Sequence, residues 1–173
     1  MRAVTWLGSW VTVVIAGAVI VVLTVTKRWS VAVPILFAVA WAGEYALVNL
    51  VKHAVGRPRP PRDLWLVTAH GASFPSGHAA NATLVSAAGV VTVSLLTRRR
   101  SARAPTVTLG CLVIAAVSFS RVELGVHWTT DVIAGSLATA MWMASMTVLS
   151  TAIGPCTGQG ADTDTSASHR STD

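Results

Sequence analysis

Charge is scarce in this chain. Asp, Glu, Lys and Arg make up only 12 % of the 173 residues, against about 25 % in a soluble domain. The shortage excludes an ordinary solvated surface. The apolar residues, 53 % of the chain, fall in long uncharged runs that read as an integral membrane protein. Cysteine is limited to Cys111, inside an apolar run, and Cys156, in a polar stretch, so no disulfide framework is implied. There is no Cys-x-x-Cys and no His-Glu-x-x-His, so no metal site and no cofactor are suggested. The net charge of +6 could suit nucleic acid. The basic residues, however, sit between apolar runs, where membrane-flanking and site residues belong, and no nucleic-acid partner is expected.

What is present predicts an all-α polytopic membrane bundle of about five transmembrane helices, one domain over residues 1–153. The first run, residues 4–26, is long enough to span with some tilt and too long for a typical signal sequence. Trp6 and Trp10 near its start suit an interfacial belt, and Lys27 and Arg28 end it. Residues 30–51 form the second span, with Pro34 in its first turns and Glu44 deep inside. An intramembrane carboxylate is a functional candidate, but nothing nearby in sequence completes a site, so Glu44 is expected to be structural and to face the bundle interior. Residues 52–74 are a basic connection in which Pro58, Pro60 and Pro61 stop the helix. The segment around Trp65 is expected to lie along the interface.

Pro75-Ser76-Gly77-His78 opens the third span, which runs to about Leu96, and Ser76 is an N-cap candidate. A basic loop with Arg98, Arg99, Arg100 and Arg103 follows. Residues 105–120 would be a short fourth span, roughly 24 Å at the helical rise. Residues 131–153 are the fifth. Residues 154–173 carry no apolar period and are expected to be a disordered polar tail. Positive-inside places the 27–28 and 98–103 loops in the cytoplasm, the N-terminus outside and the tail inside. The 52–74 and 120–131 stretches then face outside.

The organising stretch is Ser120-Arg121-Val122-Glu123-Leu124-Gly125-Val126-His127-Trp128-Thr129-Thr130-Asp131. On a helix, His127 and Asp131 would share a face one turn apart. A carboxylate there holds an imidazole in one tautomer and supports positive charge on it. Arg121 presents a fork of donors suited to phosphate. Lys52 and Arg59 add cations, Ser76 and Gly77 add donors at a helix start, and His78 is a second imidazole. Cations, a helix start and two histidines fit a phosphate-centred reaction in which one histidine attacks and the other protonates the leaving oxygen.

Three stretches carry a resemblance: Lys52-x6-Arg59-Pro60, Pro75-Ser76-Gly77-His78, and Ser120-Arg121-x5-His127-x3-Asp131. Complete and in order over residues 52–131, they resemble the three-part pattern of the type 2 phosphatidic acid phosphatase family, the PAP2/haloperoxidase superfamily. The resemblance implies a metal-independent phosphatase with a helical core. His127 would be the nucleophile that becomes a phosphohistidine, Asp131 would orient it, and His78 would protonate the leaving group. Lys52, Arg59, Ser76, Gly77 and Arg121 would hold the phosphate. Arg57-Pro58 is also an Arg-Pro pair, but its spacing from Lys52 does not fit the pattern, so Arg59 takes the role. Membrane members usually have six spans, with the first part of the pattern ending the third; here it ends the second.

The expected partners are a lipid bilayer and a membrane lipid phosphate. The leading expectation is a polyprenyl (undecaprenyl or decaprenyl) phosphate or diphosphate phosphatase of envelope lipid metabolism, in a bacterial plasma membrane with its site outside. Phosphatidate or phosphatidylglycerophosphate is the alternative substrate. A vanadium haloperoxidase would share the site, but such members are large and soluble. A non-catalytic membrane scaffold has little room when every motif residue is present.

Overall fold

The computed structural model describes residues 1–97 and 99–152. The expected polar tail, residues 154–173, lies outside the described residues. Within them the chain forms α1 (Arg2–Thr5), a 3-10 turn at Trp6–Gly8, α2 (Trp10–Lys27), α3 (Ala32–Val55), a second 3-10 turn at Arg62–Leu64, α4 (Gly77–Leu96), α5 (Arg100–Glu123) and α6 (Thr129–Ala152). Helices α2 to α6 are each long and apolar enough to cross a membrane. In lipid, backbone donors and acceptors must be satisfied within the segment, and uninterrupted apolar runs achieve that as helices.

The boundaries differ from the sequence reading in two places. Residues 4–26 are not one helix. The chain breaks at Ser9, which is extended at φ −75° and ψ 160°, and residues 2–8 pack separately. The fourth span is longer than residues 105–120, because Pro105 lies inside α5. A proline near a helix start removes one backbone bond without ending the helix, so the polar residues ahead of it join the same helix. The segment near Trp65 makes only a single 3-10 turn, Arg62–Leu64.

Helix α4 is the axis of the bundle. It packs against α2, α3, α5 and α6, and its small buried residues Ala79, Ala80, Ala82, Thr83 and Ala88 permit close approach on several sides. Val13, Ala40 and Leu84 form the apolar core, flanked by Phe37, Trp41, Val85 and Met143. Glycines admit aromatic rings: a Cβ at Gly43 would stand 2.2 Å from the Trp142 ring. The Trp142 indole N–H donates to the Ala40 carbonyl at 2.9 Å. Outward faces carry exposed Val, Ile, Leu and Met along the spans, as a lipid-facing surface requires. Glu44 is 2 % exposed and faces inward as expected.

Candidate active site

The C-terminal ends of α3 and α5 and the N-terminal ends of α4 and α6 meet at one end of the bundle. Helix α3 closes at Gly56, whose left-handed φ of 57° turns the chain out after Lys52. The proline-rich loop then folds back. The Ser73 N–H donates to the Arg57 carbonyl at 2.9 Å, and the Ser73 hydroxyl donates to the Pro58 carbonyl at 3.0 Å. The Leu66 N–H reaches the Leu124 carbonyl at 3.1 Å, and the Ser76 N–H reaches the Asp131 carbonyl at 2.9 Å. All three polar stretches are thereby tied to one another.

Two glycines make that approach possible. Gly125 has φ 70°, and a Cβ there would lie 2.0 Å from the Leu64 carbonyl oxygen. A Cβ at Gly135 would lie 2.5 Å from the Ser76 carbonyl oxygen, so α6 lies directly against the start of α4.

His127 is not on a helix with Asp131, as the four-residue spacing suggested. It sits in the short link before α6, and Asp131 is in that helix's first turn. The pair still meets, His127 Nδ1 to Asp131 Oδ2 at 3.4 Å, because Asp131 Oδ2 also accepts the Trp128 N–H at 2.9 Å. That bond is the side-chain half of a capping box, and it points the carboxylate back at the link. On its other nitrogen, His127 Nε2 lies 3.2 Å from Arg59 Nη1. A guanidinium can only donate, so Nε2 must accept and the ring proton belongs on Nδ1, facing Asp131. Burial, then Arg59, Arg121, Lys52 and His78, push the His127 pKa down to about 2. The imidazole is neutral, with its lone pair at Nε2.

Carbonyl oxygens hold the surrounding cations. Lys52 Nζ donates to the Ala72 carbonyl at 3.0 Å. Arg59 donates through Nε to Gly71 at 3.0 Å, through Nη2 to His70 at 2.9 Å and through Nη1 to Val126 at 2.7 Å. Burial draws the Arg59 pKa below its ordinary value, and Asp131 opposes that shift. Arg121 is buried and donates from Nη1 to Thr5 Oγ1 at 3.0 Å, while its Nε has no partner.

Ser76 occupies the N-cap position of α4, but its hydroxyl caps no helix N–H; it is buried without a partner. The Ser76 N–H is already committed to Asp131, which removes one of the donors the sequence offered. Space beside Gly77 is open, with nothing within 4 Å of a Cβ placed there. His78 is half-buried in the first turn of α4. Thus Lys52, Arg59, Ser76, Gly77, His78, Arg121, His127 and Asp131 all gather at this end. Among the described residues no group of three or more His, Cys, Asp or Glu could hold a metal ion.

Residues 31–154 match the family described as the PAP2 superfamily. The chain belongs to the PAP2 superfamily. Over 83 residues it is 39 % identical to an undecaprenyl-diphosphatase of Sulfolobus acidocaldarius, a match covering 48 % of this chain and 35 % of that one. About a third of that relative's length is therefore matched. The fold is similar to a solved structure described as the first transmembrane PAP2 type phosphatidylglycerolphosphate phosphatase from Bacillus subtilis. The TM-score is 0.75 at 26 % identity, over 88 % of this chain and 75 % of that one.

Two residues of this PAP2 chain that the sequence reading passed over stand at the site. Arg57 pairs with Asp131, Nη1 to Oδ1 at 3.0 Å, also donates to Thr130 Oγ1, and lies over the Trp128 ring at 5.6 Å. Its only signal in sequence was the Arg57-Pro58 pair, set aside on spacing. Thr5, which meets Arg121, had no signal at all.

Proposed function

We propose that this PAP2 protein is an integral-membrane lipid phosphatase working through a phosphohistidine. The observation that carries the reading is the setting of the His127 ring, with Nδ1 toward the Asp131 carboxylate and the lone pair of Nε2 toward Arg59. In the first step Nε2 bonds to the terminal phosphorus and the bond from that phosphorus to the leaving oxygen breaks, the lipid oxygen in a monophosphate and the bridging oxygen in a diphosphate. His78 gives its proton to the departing oxygen. In the second step water attacks phosphorus, the phosphorus–nitrogen bond breaks, and His78 takes the water proton back.

Arg59 moves from Nε2 to the phosphoryl oxygens when phosphate enters. With Lys52, Arg121, the Ser76 hydroxyl and the Gly77 N–H it stabilises the charge on those oxygens. Asp131 stabilises the imidazolium-like phosphohistidine. These cations supply the charge, so the reaction is independent of added metal. The best-supported substrate is a polyprenyl phosphate or diphosphate, which the undecaprenyl-diphosphatase match favours. Phosphatidylglycerophosphate is the second reading, favoured by the solved neighbour. We place the protein in a bacterial plasma membrane with the site outside, because Lys27, Arg28, Arg99 and the basic start of α5 are at the opposite end of the bundle.

The test is phosphate release by the purified protein in detergent with EDTA. Undecaprenyl diphosphate, phosphatidate and phosphatidylglycerophosphate are compared side by side, with His127→Ala as control. Release that needs His127 and survives EDTA is expected, fastest on the polyprenyl lipid. Activity that EDTA abolishes and only Mg²⁺ restores would overturn the metal-independent mechanism.

A further inference from the structure

We propose that the segment ahead of the first spanning helix, Arg2–Gly8, is one wall of the phosphate site, and that Thr5 is a positioning residue for Arg121. This rests on the reading above that Arg121 binds phosphate. Thr5 and Arg121 lie 116 positions apart, yet Arg121 Nη1 donates to Thr5 Oγ1 at 3.0 Å. Both are buried, at 9 % and 6 % exposure.

The segment is fixed at several points. A Cβ on Gly8 would meet the His78 carbonyl oxygen at 2.5 Å and Val117 Cγ1 at 2.7 Å. Its backbone therefore lies directly on the first turn of α4 and on α5 one turn before Arg121. Asn81 Nδ2 donates to the Gly8 carbonyl at 3.1 Å, and Arg2 Nη2 donates to the Leu66 carbonyl at 2.8 Å. The segment thus bridges α4, α5 and the loop that follows Arg59.

The geometry of the guanidinium gives this contact a use. Its Nε and Nη2 form the side-on edge that grips two oxygens of one anion. Thr5 takes Nη1, and Nε is left buried with no partner. Nη2 likewise makes no hydrogen bond to the described residues. The two ion pairs among the described residues are Arg57–Asp131 and His127–Asp131, so no carboxylate neutralises Arg121. A hydroxyl orients the fork without cancelling its charge; an Asp or Glu at position 5 would orient it and cancel it. The open edge stays available to phosphate.

The experiment uses the full chain in detergent, with vanadate as the phosphate-like probe and a short-chain phosphatidate as substrate. Thr5→Val keeps the shape and removes the hydroxyl. The expected result is a rise of about tenfold or more in the vanadate concentration for half-inhibition, the scale of one lost bond to a charged group. A similar fall in kcat/KM is expected in a protein that still folds, with the melting temperature lowered by a few degrees because the buried Nη1 loses its partner. Thr5→Ser is expected to stay close to the parent on every measure, which a packing role alone would not produce. If Thr5→Val does not fold, Thr5→Ala set against Thr5→Ser decides on the same criterion. Vanadate inhibition unchanged in the hydroxyl-free variant, with Arg121→Ala inactive, overturns the role of Thr5 and leaves the site reading intact. Full activity in Arg121→Ala overturns the site reading, and the inference with it.

Discussion

Arg57 and Asp131 share a single carboxylate with His127: Arg57 Nη1 holds Oδ1 at 3.0 Å while Oδ2 faces His127 Nδ1 at 3.4 Å. The Arg57 side chain is 35 % exposed while the Asp131 side chain is fully buried, so Arg57 is the partner through which a buried carboxylate reaches solvent. The consequence of the pair is orientation, since a carboxylate held at one oxygen and capped at the other cannot rotate away from the imidazole. Arg57→Gln is expected to lower kcat by about tenfold, one hydrogen bond's worth to a charged group, with KM nearly unchanged. Arg57→Lys should fall between, because an ammonium cannot reproduce the fork over Trp128. Steady-state kinetics decide it, and a kcat equal to the parent in Arg57→Gln would remove Arg57 from the mechanism.

Asp131→Asn tests the tautomer. An amide nitrogen facing Nδ1 would donate to it and drive the ring proton to Nε2, leaving no lone pair there. A folded enzyme slowed about 10³-fold or more is expected, by analogy with an orienting carboxylate replaced by its amide. Circular dichroism with phosphate release gives both readings in one preparation; full turnover would show that Asp131 does not set the ring.

The depressed pKa of His127 has a consequence for stability. Folded, the ring stays neutral down to about 2, whereas its ordinary value is 6.5. Below about 6.5 the unfolded chain therefore binds a proton that the folded protein refuses. The stabilising contribution is complete above that pH and is lost progressively as pH falls toward 2. Unfolding temperature in detergent should decline from pH 7 to pH 5, and less steeply in His127→Asn. Equal slopes in the two proteins would contradict a buried neutral ring.

Gly125 and Gly56 separate backbone cost from packing. Both have left-handed φ, 70° and 57°, but a Cβ at Gly125 strikes the Leu64 carbonyl at 2.0 Å while one at Gly56 meets nothing within 4 Å. Gly56→Ala should cost about 1–2 kcal/mol, the left-handed penalty alone. Gly125→Ala should cost more and reduce activity, because the loop bearing His127 must withdraw from Leu64. Thermal unfolding of both variants checks the order, and equal losses would mean that the loop yields freely.

The five spans and the residues of the candidate site were legible in the sequence for one physical reason. A bilayer demands about 20 uncharged residues per helix, so the few places where polar side chains collect stand out as candidates for chemistry. Each of Lys52, Arg59, Arg121, His78 and His127 has an ordinary use at a membrane face, and it is their combination with a helix start that points to phosphate. Tertiary structure decided the partners. Arg57 and Arg59 are two residues apart with the same side chain and the same following proline, yet one meets Asp131 and the other His127. Their loop's path, set by bonds such as Leu66 to Leu124 and Ser73 to Arg57, makes that division. Ser76 loses its N–H to Asp131 because α6 lies against the start of α4 at Gly135, and Thr5 reaches Arg121 because α1 packs on α5. Local sequence records which groups are available; which of them touch is a property of contacts between distant parts of the chain.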